Sequence, residues 1–311
     1  MRVVFLGTPE FAVPSLKALV AAGHSVAAVF TQPDRPKGRG NQLTQSPVKA
    51  AASGLNITVH QPERIRRAEH IELLRTFETD LMVVVGYGQI IPQAIIDMPR
   101  HGILNVHASL LPKYRGAAPI QWAIANGEIE TGVTIMQIDA GLDTGDMLLK
   151  SAMRIHPEET AAQLSVRLAP LGADLLVEAI SKIADGTITR EKQNSEEATL
   201  APILKKEDGR IDWSRPANEI YNRLRGFDPW PGAYTAFRGQ QLSVTQAAPV
   251  NGTTLAPGML HHEKRQLLAG CGNGTALRLL ELQPAGKKRM SADAFLNGYK
   301  LVQDERLGDL N

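Results

Sequence analysis

Leu81-Met82-Val83-Val84-Val85-Gly86-Tyr87-Gly88 is a run of five apolar residues, three of them β-branched, that stops at a pair of glycines. It lacks the alternation of a half-buried strand. A continuous apolar run of this length belongs to a strand covered on both faces, and such strands build parallel sheets. Arg2–Leu6 and Val26–Phe30 lie upstream, separated by a helical pattern over Phe11–Ala22 with Gly23 placed to cap it. Ile103–His107 and Val133–Ile138 lie downstream. Further helical patterns occupy His70–Phe77 and Ala117–Asn126, and a long one over Thr160–Ala184 is expected to break near Pro170. Alternation of strand and helix predicts an α/β domain: a parallel sheet with helices on both faces.

The pattern changes after residue 189. Arg190–Lys206 is polar and without periodicity, as a linker is. One helix, Pro216–Arg225, is followed by short β-type runs between Gly and Pro: Ala233–Phe237, Gln241–Gln246, Met259–His262, Gln266–Ala269 and Ala276–Leu282. This predicts a small OB-like β-barrel. The expected organisation is a domain over 1–189, a linker over 190–206 and a second domain over 207–311.

Composition narrows the classes. The 311 residues are 43% hydrophobic but only 5% aromatic, so the cores must be Leu, Ile, Val and Ala. No window approaches the roughly 18 apolar residues of a membrane span, and the first apolar run is too short for a signal peptide. A cytoplasmic protein without membrane contact is expected. The single cysteine, Cys271, excludes an internal disulfide and a cysteine zinc site, and reads as a buried structural thiol. The net charge of +2 gives no global field, so contact with a polyanion has to come from local clusters. No exposed apolar stripe suggests an interface, and a monomer is expected.

Three segments carry chemistry. Gly7 follows the first strand, but Pro9 and Ala12 stand where a dinucleotide fingerprint needs glycines, which disfavours a nicotinamide oxidoreductase. Asn105 and His107 are two apart on a strand and share a face, at the carboxyl end where open α/β sheets bind ligands. One strand later, Asp139, Asp143 and Asp146 share a Gly-containing loop expected at the same sheet edge. Such a loop suits a hard cation, but the EF-hand spacing is absent. The other reading is that one aspartate orients the His107 imidazole for acid–base work.

Asn105-Val106-His107-Ala108-Ser109-Leu110-Leu111-Pro112, then Arg115-Gly116-Ala117-Ala118-Pro119 and Asp143, resembles the folate-dependent formyltransferases. Phe5-Leu6-Gly7-Thr8-Pro9-Glu10-Phe11-Ala12, Val84–Pro92 and Arg225–Ala233 are similar to the branch of that family that acts on methionyl-tRNA, so the resemblance spans nearly the whole chain. It implies a Rossmann-like formyltransferase domain followed by an OB-like tRNA-binding domain. It also implies 10-formyltetrahydrofolate as donor, the α-amino group of methionyl initiator tRNA as acceptor, and no metal. The catalytic residues carry over to Asn105, His107 and Asp143. The folate side carries over to Gly86, Tyr87, Gly88, Gln89 and Ile90, with Ile138 to Asp143, Asp139 among them, as the other wall, and to Ser109, Leu110, Leu111 and Pro112.

The Pro/Gly-rich segment Thr31–Leu43 carries Arg35, Lys37 and Arg39 against Asp34 alone. Long loops in compact domains are functional or disordered; by the resemblance this one enters the tRNA acceptor stem. Lys205-Lys206 and Lys287-Lys288-Arg289 are two further cation runs. Such runs are ordinarily solvated, but on an OB-type barrel they also build grooves for nucleic acid. The rival reading is an N-formyltransferase acting on an amino sugar nucleotide, with the same Asn–His–Asp set.

Overall fold

The computed structural model describes residues 1–37, 42–263 and 266–308. The chain forms two compact units. One comprises Met1–Pro119, Glu130–Arg154 and Gln163–Pro202; the other comprises Ile120–Ile129, Ile155–Ala162 and Ile203–Asn311.

In the first unit, β1 (Arg2–Gly7), α1 (Val13–Ala21) and β2 (Ser25–Phe30) open the chain. A two-stranded ribbon follows, β3 (Arg35–Lys37) and β4 (Gln42–Thr44), where the sequence suggests only a loop. Then come α2 (Pro47–Gly54), β5 (Val59–His60), α3 (Ala68–Arg75), β6 (Leu81–Val85), α4 (Gln93–Ile96) and β7 (Ile103–His107). In chain order α5 (Pro119–Ala125), which from Ile120 onward belongs to the second unit, precedes β8 (Glu130–Gln137) and β9 (Met147–Arg154) of the first, and α6 (Ala161–Ala184) follows. The main sheet runs β5-β2-β1-β6-β7-β8-β9. The pairings from β5 to β7 are parallel, and β1, β6 and their apolar neighbours are buried as continuous runs require.

The last two pairings, β7 with β8 and β8 with β9, are antiparallel. The parallel sheet that the sequence predicts thus carries an antiparallel end. β9 escaped the reading because it is an edge strand: its exposure alternates from Leu149 onward, and polar Lys150 and Arg154 dilute the apolar signal. The expected break in α6 is also absent, since the helix runs through Pro170. Its apolar stripe, Leu164, Leu168, Leu176 and Ile180, is buried on both sides of the proline, so packing offsets the lost hydrogen bond.

The base of the ribbon is pinned. Lys49 Nζ donates to Asp34 Oδ2 at 2.6 Å and to Gln61 Oε1 at 2.8 Å. Gln61 Nε2 donates to Asp34 Oδ1 at 2.7 Å and to the Gln32 carbonyl at 2.9 Å. Ser46 caps α2, accepting from the Lys49 N–H, with Pro47 in the first turn.

The second unit contains α7 (Ala217–Gly226) and β10 (Ala233–Phe237), β11 (Gln240–Asn251), β12 (Leu260–Glu263), β13 (Gln266–Cys271), β14 (Thr275–Pro284), β15 (Met290–Ser291), α8 (Ala292–Gly298) and β16 (Leu307–Gly308). The sheet is antiparallel, in the order β12-β13-β14-β11-β10-β16 with β15 on β14. A bridge between Met259 and Arg306 brings the two outer strands towards each other. The result is an antiparallel half-barrel, in the place where the spacing of short strands predicts a small OB-like β-barrel. Phe295, Leu267, Leu277 and Leu282 fill it. β15 and β16 were invisible in the sequence because each is two residues long.

Cys271 is buried, and burial pushes its thiol up to about 12. The native protein should react with a thiol reagent at about pH 8 at least about 100-fold more slowly than the unfolded chain; comparable rates contradict the burial. The hydrogen bond from Lys49, then that from Gln61, holds the Asp34 carboxyl below its ordinary value of 3.8. A lowered carboxyl contributes stability above the ordinary value and loses it as pH falls through the lowered one. Asp34→Asn should thus melt below wild type at neutral pH, and the gap should close as pH falls through and below the ordinary carboxylate range. A gap independent of pH contradicts the clamp.

Candidate active site

β7 supplies Asn105 and His107 on one face. The His107 side chain is 5% exposed, and its Nε2 lies 2.9 Å from the Tyr114 carbonyl. A carbonyl can only accept, so Nε2 carries a hydrogen. The other nitrogen, Nδ1, faces Asp143 Oδ2 at 3.7 Å. Asp143 Oδ1 accepts from Asn105 Nδ2 at 3.3 Å, and Oδ2 accepts from the Gly116 N–H at 2.8 Å. One carboxylate thus faces an amide, a backbone N–H and an imidazole.

Asp143 gets there by a route the sequence reading misplaced. Because β8 is antiparallel to β7, with Leu104 opposite Gln137, the aspartate loop leaves β8 beside the start of β7. That is the opposite end from the one expected. Residues 138–146 then carry Asp143 back to Asn105 and His107. At Asp143 the backbone has φ of 51°, in the left-handed region, a conformation that costs about 1–2 kcal/mol and that Asp tolerates better than most residues. Asp139 shapes the loop instead of joining the cluster: its Oδ1 accepts from the Gly141 N–H at 3.0 Å and the Thr144 hydroxyl at 2.7 Å. Among the described residues no group of three His, Cys, Asp or Glu is arranged to hold a metal.

Gly116 sits where a side chain has no room. Its φ is 124°, and a Cβ would stand 2.6 Å from the Ala201 carbonyl oxygen. That carbonyl and Gln193 belong to the stretch expected to be a linker, which packs on the first unit. Gln193 Nε2 donates to the carbonyls of Asp143 and Gly145, and its Oε1 accepts from Arg115. Nothing in the local sequence marked Gln193, since its partners lie 48–78 residues away.

A cleft of about 780 Å³ opens at the carboxyl ends of β1, β2 and β6. Thr8 and Pro9, Gln32 and Pro33, and Gly86 to Gly88 line it, with Arg35 from the ribbon. The strand order reverses at β1, so this is the switch point at which open α/β sheets bind ligands. β7, with His107 at its end, is the next strand over from β6. The Thr8 hydroxyl and Gln32 Nε2 both donate to the Tyr87 carbonyl, at 3.1 and 3.0 Å, fixing the glycine turn.

Several expected contact residues have other employment. The Tyr87 side chain is 1% exposed inside the core, where burial raises its pKa, so only its backbone faces the cleft. Gln89 accepts from the Ile65 N–H and donates to the Pro62 carbonyl. Ser109 is fully buried and donates to the Lys113 carbonyl, and Leu111 packs with Met136 and Met147. Leu110 and Pro112 are half-buried, whereas Ile90 is 91% exposed. Arg35 is exposed at the cleft, Lys37 pairs with Gln42 in the ribbon, and Arg39 lies outside the described residues. Lys205 and Lys206, and Lys287 to Arg289 after β14, are exposed on the second unit.

Residues 1–180 match the formyl transferase family, and residues 203–300 match the formyl transferase C-terminal domain. The chain is 60% identical over 310 residues to the methionyl-tRNA formyltransferase of Solibacter usitatus (strain Ellin6076), with 99% of both chains covered. It is 59% identical over 312 residues to that of Koribacter versatilis (strain Ellin345), with 100% of both covered. Among solved structures, an N-formyltransferase from Helicobacter canadensis in complex with folinic acid and dTDP-3-aminofucose superposes with a TM-score of 0.66 at 20% identity, over 91% of this chain and 98% of that one, a likeness of fold. From its first strand to its half-barrel, this chain belongs to the formyl transferase family.

Proposed function

We propose that this protein transfers the formyl group of 10-formyltetrahydrofolate to the α-amino group of methionyl initiator tRNA. The observation that carries the reading is the Asp143 carboxylate joined to Asn105 and facing His107, on the strand beside a switch-point cleft. Identity of 60% over the full length to a methionyl-tRNA formyltransferase favours tRNA over an amino sugar nucleotide, whose enzyme is matched at 20%. The reading places the protein in the cytoplasm, acting as a monomer, since one unit of one chain supplies the whole cluster.

In the reaction the amine nitrogen attacks the formyl carbon and a tetrahedral oxyanion forms. Asn105 Nδ2 and a hydrogen on His107 Nδ1 donate to that oxygen. The Tyr114 carbonyl fixes the ring so that Nδ1 is the free donor. Asp143 faces Nδ1 and stabilises the positive charge there. Its oxygens keep lone pairs beyond those used by Asn105 and Gly116, and one takes the proton the amine sheds. The carbon–N10 bond then breaks, the proton passes to N10, and tetrahydrofolate leaves. Hydrogen-bond donors stabilise the oxyanion throughout, so the scheme uses no metal.

The folate ring system lies against Gly86 to Ile90, with Ser109 to Pro112 and Asp139 on the other side. Because the Tyr87 ring is buried in the core and Gln89 and Ser109 are turned to internal partners, this wall recognises the donor through backbone groups and Ile90. The tRNA acceptor stem is met by the segment whose sequence carries Arg35, Lys37 and Arg39. Lys205, Lys206, Lys287, Lys288 and Arg289 meet phosphates and position the tRNA body.

Formyl transfer to methionyl initiator tRNA, followed with Asn105→Ala, His107→Ala and Asp143→Ala, tests the site. Each should lose about 100–1,000-fold in kcat; a variant within about threefold of wild type removes that residue from the scheme. Changing Lys287, Lys288 and Arg289 together to Ala should weaken tRNA binding and flatten the slope of log affinity against log salt by roughly one per lost phosphate contact. An unchanged slope places the tRNA elsewhere.

A further inference from the structure

Gln193 spends all its hydrogen-bonding capacity on two segments of the active-site wall. Its Oε1 accepts from Arg115 Nε at 2.9 Å and from Nη2 at 2.8 Å. Its Nε2 donates to the carbonyls of Asp143 and Gly145, both at 2.8 Å. The orientation of the amide is forced: a guanidinium only donates and a carbonyl only accepts, so a flipped amide keeps none of the four bonds. The guanidinium it serves belongs to a residue only 7% exposed.

What Gln193 fixes is the backbone of a residue that needs fixing. Asp143 has φ of 51°, a conformation that persists where the surroundings over-determine it. Two of its holders act on the carboxylate, the Asn105 amide and the Gly116 N–H. Gln193 acts on the main chain of the same residue and again two residues on. The stretch that carries it also straps residues 114 and 115: the Arg115 N–H donates to the Thr199 carbonyl at 2.8 Å, the Ala201 N–H to the Arg115 carbonyl at 2.7 Å, and the Tyr114 N–H to the Thr199 hydroxyl at 2.9 Å. Tyr114 in turn holds His107. One side chain therefore keeps the aspartate loop in register with the turn that orients the imidazole.

We infer that Gln193 is a positioning residue for formyl transfer, setting the Asp143 carboxylate against Asn105 and His107. The inference rests on the role proposed above for Asp143. Donors at this remove from the reacting atoms act on rate through geometry, and a misplacement of about 1 Å costs up to roughly 100-fold.

Gln193→Glu separates the two ends of the side chain. It keeps an acceptor for Arg115 but replaces the donor to Asp143 and Gly145 with a second acceptor. Steady-state formyl transfer should show kcat reduced by about 10–100-fold, with KM for folate and for tRNA each within about twofold of wild type. Gln193→Met, similar in length and without donor or acceptor, should lose at least as much. Combining either variant with Asp143→Ala should add little to the loss from Asp143→Ala alone, because Gln193 acts through Asp143. Wild-type kcat in both Gln193 variants overturns the inference, as does a loss confined to KM or one that multiplies fully with Asp143→Ala. Full activity in Asp143→Ala itself overturns the proposed role of Asp143 instead. Should Gln193→Glu fail to fold, Gln193→Met and its combination with Asp143→Ala decide the matter alone.

Discussion

The Asp143 carboxylate is the point at which separate pieces of the first unit meet. It accepts from Asn105 on β7 and from the Gly116 N–H in the turn that follows, and it faces His107. Its own backbone is held from residue 193. A carboxylate presented to an amide and an imidazole in this way is costly to assemble and has no function in a core; it suits a reaction in which negative charge develops on an oxygen beside it. The sheet serves that placement. Its parallel part leaves a cleft where strand order reverses, and the loop of residues 138–146 after antiparallel β8 carries Asp143 back to Asn105 and His107 on β7.

Charge is distributed to match. The chain has almost no net field, and the carboxylate set against the ribbon's cations in the sequence, Asp34, is taken up by Lys49 and Gln61. Arg35 is left exposed at the cleft. Under the proposed function, recognition of a polyanion falls to short, local clusters on both units, which would steer and position without a strong long-range attraction. At the cleft, the Tyr87 side chain is turned into the core and the backbone of Gly86 to Gly88 lines the wall.

How much of this was legible in the sequence differs by feature. Continuous apolar strands such as Leu81–Val85 announce themselves, because burial on both faces leaves no polar position. The half-barrel was legible from strand spacing. Asn105 and His107 could be paired by the period of a strand. The direction of β8 could not be read, since apolar content is the same whichever way a strand runs, and this put the aspartate loop at the wrong end of the sheet. Pro170 misled because helix propensity is outweighed by a buried stripe. Gln193 and the Lys49–Asp34–Gln61 clamp were unreadable for a simpler reason: polar side chains are chosen by partners far away in sequence, and a single sequence carries no trace of the pairing.

The central claim is that this site formylates the amine of a charged initiator tRNA. It is tested most directly by offering the enzyme 10-formyltetrahydrofolate with methionyl initiator tRNA and a dTDP-linked amino sugar in the same reaction, and comparing kcat/KM for the two amines. The account predicts a formyl group on the methionine released from the tRNA and turnover of the sugar at least about 1,000-fold lower, the scale expected when bound polar groups are left unmatched. Preferential formylation of the amino sugar contradicts it.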